Sequence, residues 1–101
     1  MSCYSIIRRP VELNATSEEI ILTLTRMGLR ANKTLNGYSL PNGQSVEFEN
    51  GKWYLSPGVD RTTFINQLQA SKTIIVAQKQ GLKVVREEKA ANGKITIRLS
   101  N

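Results

Sequence analysis

Apolar residues recur with two different periods along this chain, and the switch between them is sharpest at Gly81. From Asp60 to Gly81, Phe64, Ile65, Leu68, Ile75 and Val76 fall near i, i+3/i+4, with Ser71 or Lys72 at the missing turn, which predicts one long amphipathic helix. Asp60 suits its start, because a carboxylate there accepts from the unpartnered N–H groups of Thr62 and Thr63. Gly81 suits its stop, and Lys79 suits the negative end of the helix dipole. Beyond it Ile95, Ile97 and Leu99 alternate with Lys94, Thr96 and Arg98, the period of a strand buried on one side. A two-residue Asn92-Gly93 turn sets Glu87 opposite Arg98 and puts Leu82 and Val84 on the face of Ile97 and Leu99, with Arg86 and Glu88 turned inward. A three-residue loop moves Val85 inward instead.

The earlier part of the chain reads the same way. Cys3 to Arg8 alternate as a first strand, with Tyr4 and Ile6 on one face and Cys3, Ser5 and Ile7 on the other, and Pro10 ends it for want of an N–H. Thr16 and Glu19 have capping-box spacing and open a helix that buries Ile20, Ile21, Leu24 and Met27 and stops at Gly28. After a polar stretch from Arg30 to Asn36, Asn-Gly pairs at 36-37, 42-43 and 50-51 each mark a reversal. Pairing across Asn50-Gly51 sets Phe48 opposite Trp53, Val46 opposite Leu55, Glu47 opposite Tyr54 and Glu49 opposite Lys52. The order of elements predicts a single α+β domain over residues 1–101. It is a ferredoxin-like split βαβ, an antiparallel sheet with two helices on one face and an added C-terminal hairpin strand.

Composition narrows the function classes. The chain has 101 residues, enough for one core without disulfides or metal. With 14 Lys+Arg against 8 Asp+Glu it carries +6, which attracts nucleic acid, acidic proteins or anionic surfaces. One Cys forms no internal disulfide, and no apolar run reaches signal or membrane-spanning length, so a reducing, cytosol-like compartment is expected, without membrane insertion.

Several stretches carry a resemblance. The opening Met1 to Ile7, the helix end Leu24 to Leu29, the Glu49-Asn50-Gly51 hairpin and above all Lys79 to Glu88, continued through Asn92-Gly93 to Arg98, resemble the hypothetical-chloroplast-reading-frame family, small proteins of plastids and cyanobacteria. The resemblance covers most of the chain with a gap in the middle. It implies a fold and a photosynthetic-lineage or related bacterial or phage source, and it carries over no activity and no site.

Chemistry-bearing residues are few. The chain lacks His, the commonest general base and metal ligand, and one Cys offers no zinc or iron–sulfur spacing. Glu47 and Glu49 alternate with Val46 and Phe48 as a solvated strand face, and Asp60, the one Asp, is used as a cap. The expectation is therefore a non-enzymatic binding module without metal, cofactor or small-molecule substrate, most simply a protein–protein adaptor or accessory subunit. Its partner, a second copy or another protein, is expected on the open sheet face, with Tyr54 as anchor and Tyr38, Ile7 and Val85 beside it. The alternative is nucleic-acid binding through Lys83, Arg86, Lys89, Lys94 and Arg98, although the last strands lack the aromatic platform of the common RNA-binding sheet.

Overall fold

Capping and turn chemistry set the element boundaries. The computed structural model describes residues 11–101, so the expected first strand, Cys3 to Arg8 with Ile7, lies outside it. Strand β1 (Val11–Leu13) begins just past Pro10, where a strand end was expected, and leads into helix α1 (Ser17–Arg26). Thr16 accepts from Glu19 N–H while the Glu19 carboxylate accepts from Thr16 N–H, the reciprocal capping box that the spacing predicts. Four short strands follow, β2 (Asn32–Thr34), β3 (Gly37–Ser39), β4 (Ser45–Glu49) and β5 (Lys52–Leu55), then helix α2 (Arg61–Lys79) and the hairpin strands β6 (Lys83–Lys89) and β7 (Ile95–Ser100). Both helices end alike. Gly28 and Gly81 take positive φ, and the N–H groups of Leu29 and Leu82 return to the carbonyls of Leu24 and Ala77.

The fold is α+β, with two helices against a five-stranded sheet of order β1-β5-β4-β3-β2, every pair antiparallel. The Asn50-Gly51 turn has positive φ at both residues, as a two-residue hairpin requires, and the register across it is the expected one. At residues 36-37 the turn itself is Leu35-Asn36, because Gly37 already pairs with Thr34. Gly37 is needed there for space: a Cβ would lie 2.1 Å from the Val46 carbonyl oxygen. The inner sheet face carries Leu13, Trp53, Leu55 and Val46, which join Ile20 and Leu24 of α1 and Phe64 and Leu68 of α2 in one core.

The hairpin does not join this sheet. Strands β6 and β7 form a separate two-stranded sheet, and α2 lies between the two. The reason is a second buried stripe that the large apolar residues did not reveal: Ala70, Ile74 and Ala77, at i, i+4 and i+7, are 3%, 8% and 1% exposed. Two of these are alanines, so the hairpin backbone can approach the helix closely. Val76 and Ile21, expected in the core, are about half exposed. The turn expected to be missing from the stripe is filled by Ser71, fully buried, whose hydroxyl lies 3.0 Å from that of buried Thr23 on α1. Each hydroxyl also reaches the carbonyl one turn back, that of Gln67 or Glu19, so this polar pair crosses the helix interface satisfied.

The hairpin register also departs from the two-residue expectation. Ala90 N–H donates to Lys94 O and Gly93 N–H to Ala90 O, a three-residue loop whose Gly93 has φ +87. Arg86 therefore opposes Arg98 and Glu87 opposes Ile97, while a bulge between Val84 and Arg86 restores Val84 to the face of Leu99 and leaves Val85 61% exposed. No helix among the described residues is long and apolar enough to cross a membrane.

Overpacking tests the two-sided burial of α2. Ala77→Leu is expected to destabilise the protein by about 1–3 kcal/mol in urea titration, since the extra methylenes meet a closed junction. Val76→Ala, one position earlier on the exposed face, is expected to change stability by less than about 0.5 kcal/mol.

Candidate functional site

Because the hairpin rests on small residues of α2, a groove opens where the helix surface turns away from β7. Its main part is a cleft of about 530 Å³, walled on one side by Ile65, Gln69 and Thr73 of α2 and on the other by Ile95 and Ile97 of β7. A second hollow of about 270 Å³ adjoins it at the start of α2 and shares Thr62, Asn66 and Asn92 with it. The hairpin tip is seated closely here, for a Cβ on Gly93 would lie 2.9 Å from Asn66 Nδ2.

The lining is chemically uniform. Amides and hydroxyls alternate with aliphatic side chains, Lys94 lines the main cleft and Lys89 the second hollow. The carboxylate in the second hollow, Asp60, caps α2: it accepts from Thr63 Oγ1 at 2.8 Å and Thr63 N–H at 3.2 Å. Those two hydrogen bonds hold its carboxyl below the usual range, so it is an ionised cap and not a proton carrier near neutral pH. Such a lining can hydrogen-bond a backbone or an anion and bury small apolar groups.

One side chain fixes the hairpin against both helices. Arg26, at the end of α1, donates from Nε to Gln67 Oε1 of α2 at 3.0 Å, and its guanidinium forms a bidentate ion pair with Glu87 of β6. The Arg26 hydrogen bond holds the Glu87 carboxyl below its ordinary value. With β6 held on the α1 side, β7 borders the cleft.

The residues expected to form a site are dispersed. Tyr54 lies half-buried on the outer, polar face of the five-stranded sheet, in register with Glu12 and Glu47, and Glu12 pairs with Lys52 at 2.8 Å. Tyr38 occupies the opposite face, stacked on Trp53 with ring centroids 6.1 Å apart, because its register partner is the core residue Val46. Val85 belongs to the separate hairpin sheet, and Ile7 lies outside the described residues, so the patch expected around Tyr54 is not assembled among them. The basic set divides as well. Lys83, Arg86 and Arg98 share the hairpin's outer face, whereas Lys89 and Lys94 line the groove. The cleft was missed from sequence; its trace is the polar series Asn66, Gln69 and Thr73 at i, i+3 and i+7, a wetted stripe along the long helix. No protein-family model matches the chain, and no curated protein or solved structure is significantly similar to it.

The Arg26–Glu87 pair makes part of the stability pH-dependent. With its folded pKa depressed, Glu87 contributes stability above the pKa it has in the unfolded chain, and that contribution is lost as the pH falls through the depressed value. Because the Glu87 side chain is 42% exposed, the contribution is expected to stay within about 1 kcal/mol. Glu87→Gln should lower stability by that amount at pH 7, and denaturant curves of the two proteins should converge in acid.

Proposed function

We propose that the chain is a small non-enzymatic binding module, and that its protein partner docks in the groove between α2 and β7. The observation that carries this reading is the lining of the groove: amides, hydroxyls, lysines and aliphatic groups converge there, while the one carboxylate among the described lining residues, that of Asp60, is spent as a helix cap. That inventory recognises and does not catalyse, since it offers no paired acid and base. Within this proposal the protein works in the cytoplasm or, if the resemblance of its C-terminal part to the plastid and cyanobacterial family holds, the plastid stroma.

One observation favours a second reading. Arg86 and Arg98 stand directly opposite each other on the outer face of the hairpin, an arrangement that costs stability unless an anion or Glu88, 3.0 Å from Arg86, relieves it. A two-stranded ribbon also fits the major groove of DNA. The aromatic residues that would stack on single-stranded bases are absent from both strands.

A photo-cross-linking side chain in place of Thr73 is expected to trap a partner from native lysate, and Gln69→Arg is expected to abolish the adduct. Trapping from position 54 and none from position 73 would move the partner surface to the outer sheet face and sink the groove reading. Random RNA and DNA, titrated with the chain at low salt, are expected not to bind. Binding that falls steeply with salt and is lost on Arg98→Glu would establish the second reading in its place.

A further inference from the structure

The groove ends on the edge of a strand. Among the described residues β7 pairs only with β6, so its other edge carries backbone N–H and C=O groups that no strand takes up. The bond from Ala90 N–H to Lys94 O, 2.9 Å long, fixes the phase of the ladder. Alternation then directs the backbone groups of Thr96 and Arg98 toward β6 and those of Ile95 and Ile97 toward the open edge. The side chains of Ile95 and Ile97 line the cleft, so the open backbone groups and the apolar floor belong to the same two residues.

The two edges of the hairpin are not equivalent. On β6 the bulge at Val84–Arg86 breaks the ladder and Glu87 is tied to Arg26, which blunts that edge against further pairing. Strand β7 has neither device. It is regular over six residues, about 20 Å of edge, and α2 faces it from Thr62 to Thr73, about 18 Å of helix. An added strand of five or six residues would match both walls.

We propose that the groove takes up an extended, acidic segment of a partner protein as a third strand on β7. This rests on the reading of the groove as a protein-binding site and names the mode and chemistry of that binding. Main-chain bonds to Ile95 and Ile97 hold the segment, and alternate side chains turn toward Ile65, Gln69 and Thr73. Its charge follows from the walls. Among the described residues Lys94 lines the main cleft with no carboxylate beside it, while Lys89 and the capping Asp60 offset each other in the adjoining hollow, so in the main cleft an acidic strand meets opposite charge and a basic one meets like charge.

The probe is a displayed library of random decapeptides selected against the whole chain, with the tightest binder then synthesised. Selected sequences are expected to alternate apolar residues with Asp or Glu, to lack central proline and to perturb the amide resonances of Ile95 and Ile97. Two isomers of that peptide, N-methylated on alternate residues in either phase, separate backbone from side-chain recognition. One phase is expected to bind at least about tenfold more weakly and the other to stay close to the parent, because only one set of N–H groups faces β7. Replacing the acids by lysine, or Lys94→Glu in the protein, is expected to weaken binding by about tenfold at low salt.

Equal affinity of both isomers overturns strand addition, as does undiminished binding of the lysine peptide or the absence of any selected binder. Protection of the Ile95 and Ile97 amides from exchange in the free chain, to the level of Thr96 and Arg98, also overturns it, for the edge would then already be covered. A partner cross-linked from position 73 would survive each of these outcomes, so the failure of strand addition is distinct from the failure of the groove as a binding site.

Discussion

Helix α2 has to bury two stripes at once, and the packing on either side follows from that requirement. Phe64 and Leu68 fill the space over the sheet with bulk, as a helix on a pleated surface needs. Ala70 and Ala77 do the reverse on the hairpin side, where a bare Cβ lets two backbones come together. Ser71 sits between the stripes and meets α1 through Thr23, a hydroxyl pair whose members are small enough to be buried and able to satisfy each other. Changing the size of any of these side chains alters a distance that another layer depends on.

Arg26 complements that packing with charge. It ends α1, touches α2 through Gln67 and binds β6 through Glu87, so one guanidinium sets the hairpin's position around the helix. This is work for an arginine, whose planar fork engages two partners in fixed directions, and a lysine ammonium would reach only one of them in that geometry. The groove is the remainder. With β6 drawn toward α1, the hairpin leaves Gln69 and Thr73 of α2 exposed, and their amide and hydroxyl groups occupy the opening.

Local features were readable from the sequence because each depends on a few neighbours. The capping box at Thr16, the Asp60 cap, the Gly28 and Gly81 stops and the Asn50-Gly51 register all follow from contacts within a handful of residues. Features set by which surface meets which were not readable. A stripe of Ala70, Ile74 and Ala77 gives a weak hydrophobic signal although it is deeply buried, because alanine contributes little area and much proximity. The sequence pattern consequently places the hairpin in the sheet and Val85 beside Tyr54, when helix α2 stands between the two sheets, and register puts Tyr38 and Tyr54 on opposite faces of the five-stranded one. The Ala90–Lys94 loop shows a related ambiguity. Asn92-Gly93 serves a two-residue turn and a three-residue loop equally well, and only the bulge at Val84–Arg86 brings the strand ends back into phase.

The seating of β6 and β7 on α2 also bears on the order in which the chain can fold. The hairpin pairs residues close in sequence and closes on the microsecond scale of such units, about 1–10 μs. The sheet is not complete until Leu13 finds Trp53 and Val11 finds Leu55, a long-range closure whose entropy must be met before any reward. The alanine side of α2 gains its cover from a hairpin that lies after it in the chain, so during synthesis the helix is made before the residues that shield it. A nascent chain therefore passes through a stage in which α2 is held only by α1 and the five-stranded sheet, and its smooth flank faces the solvent.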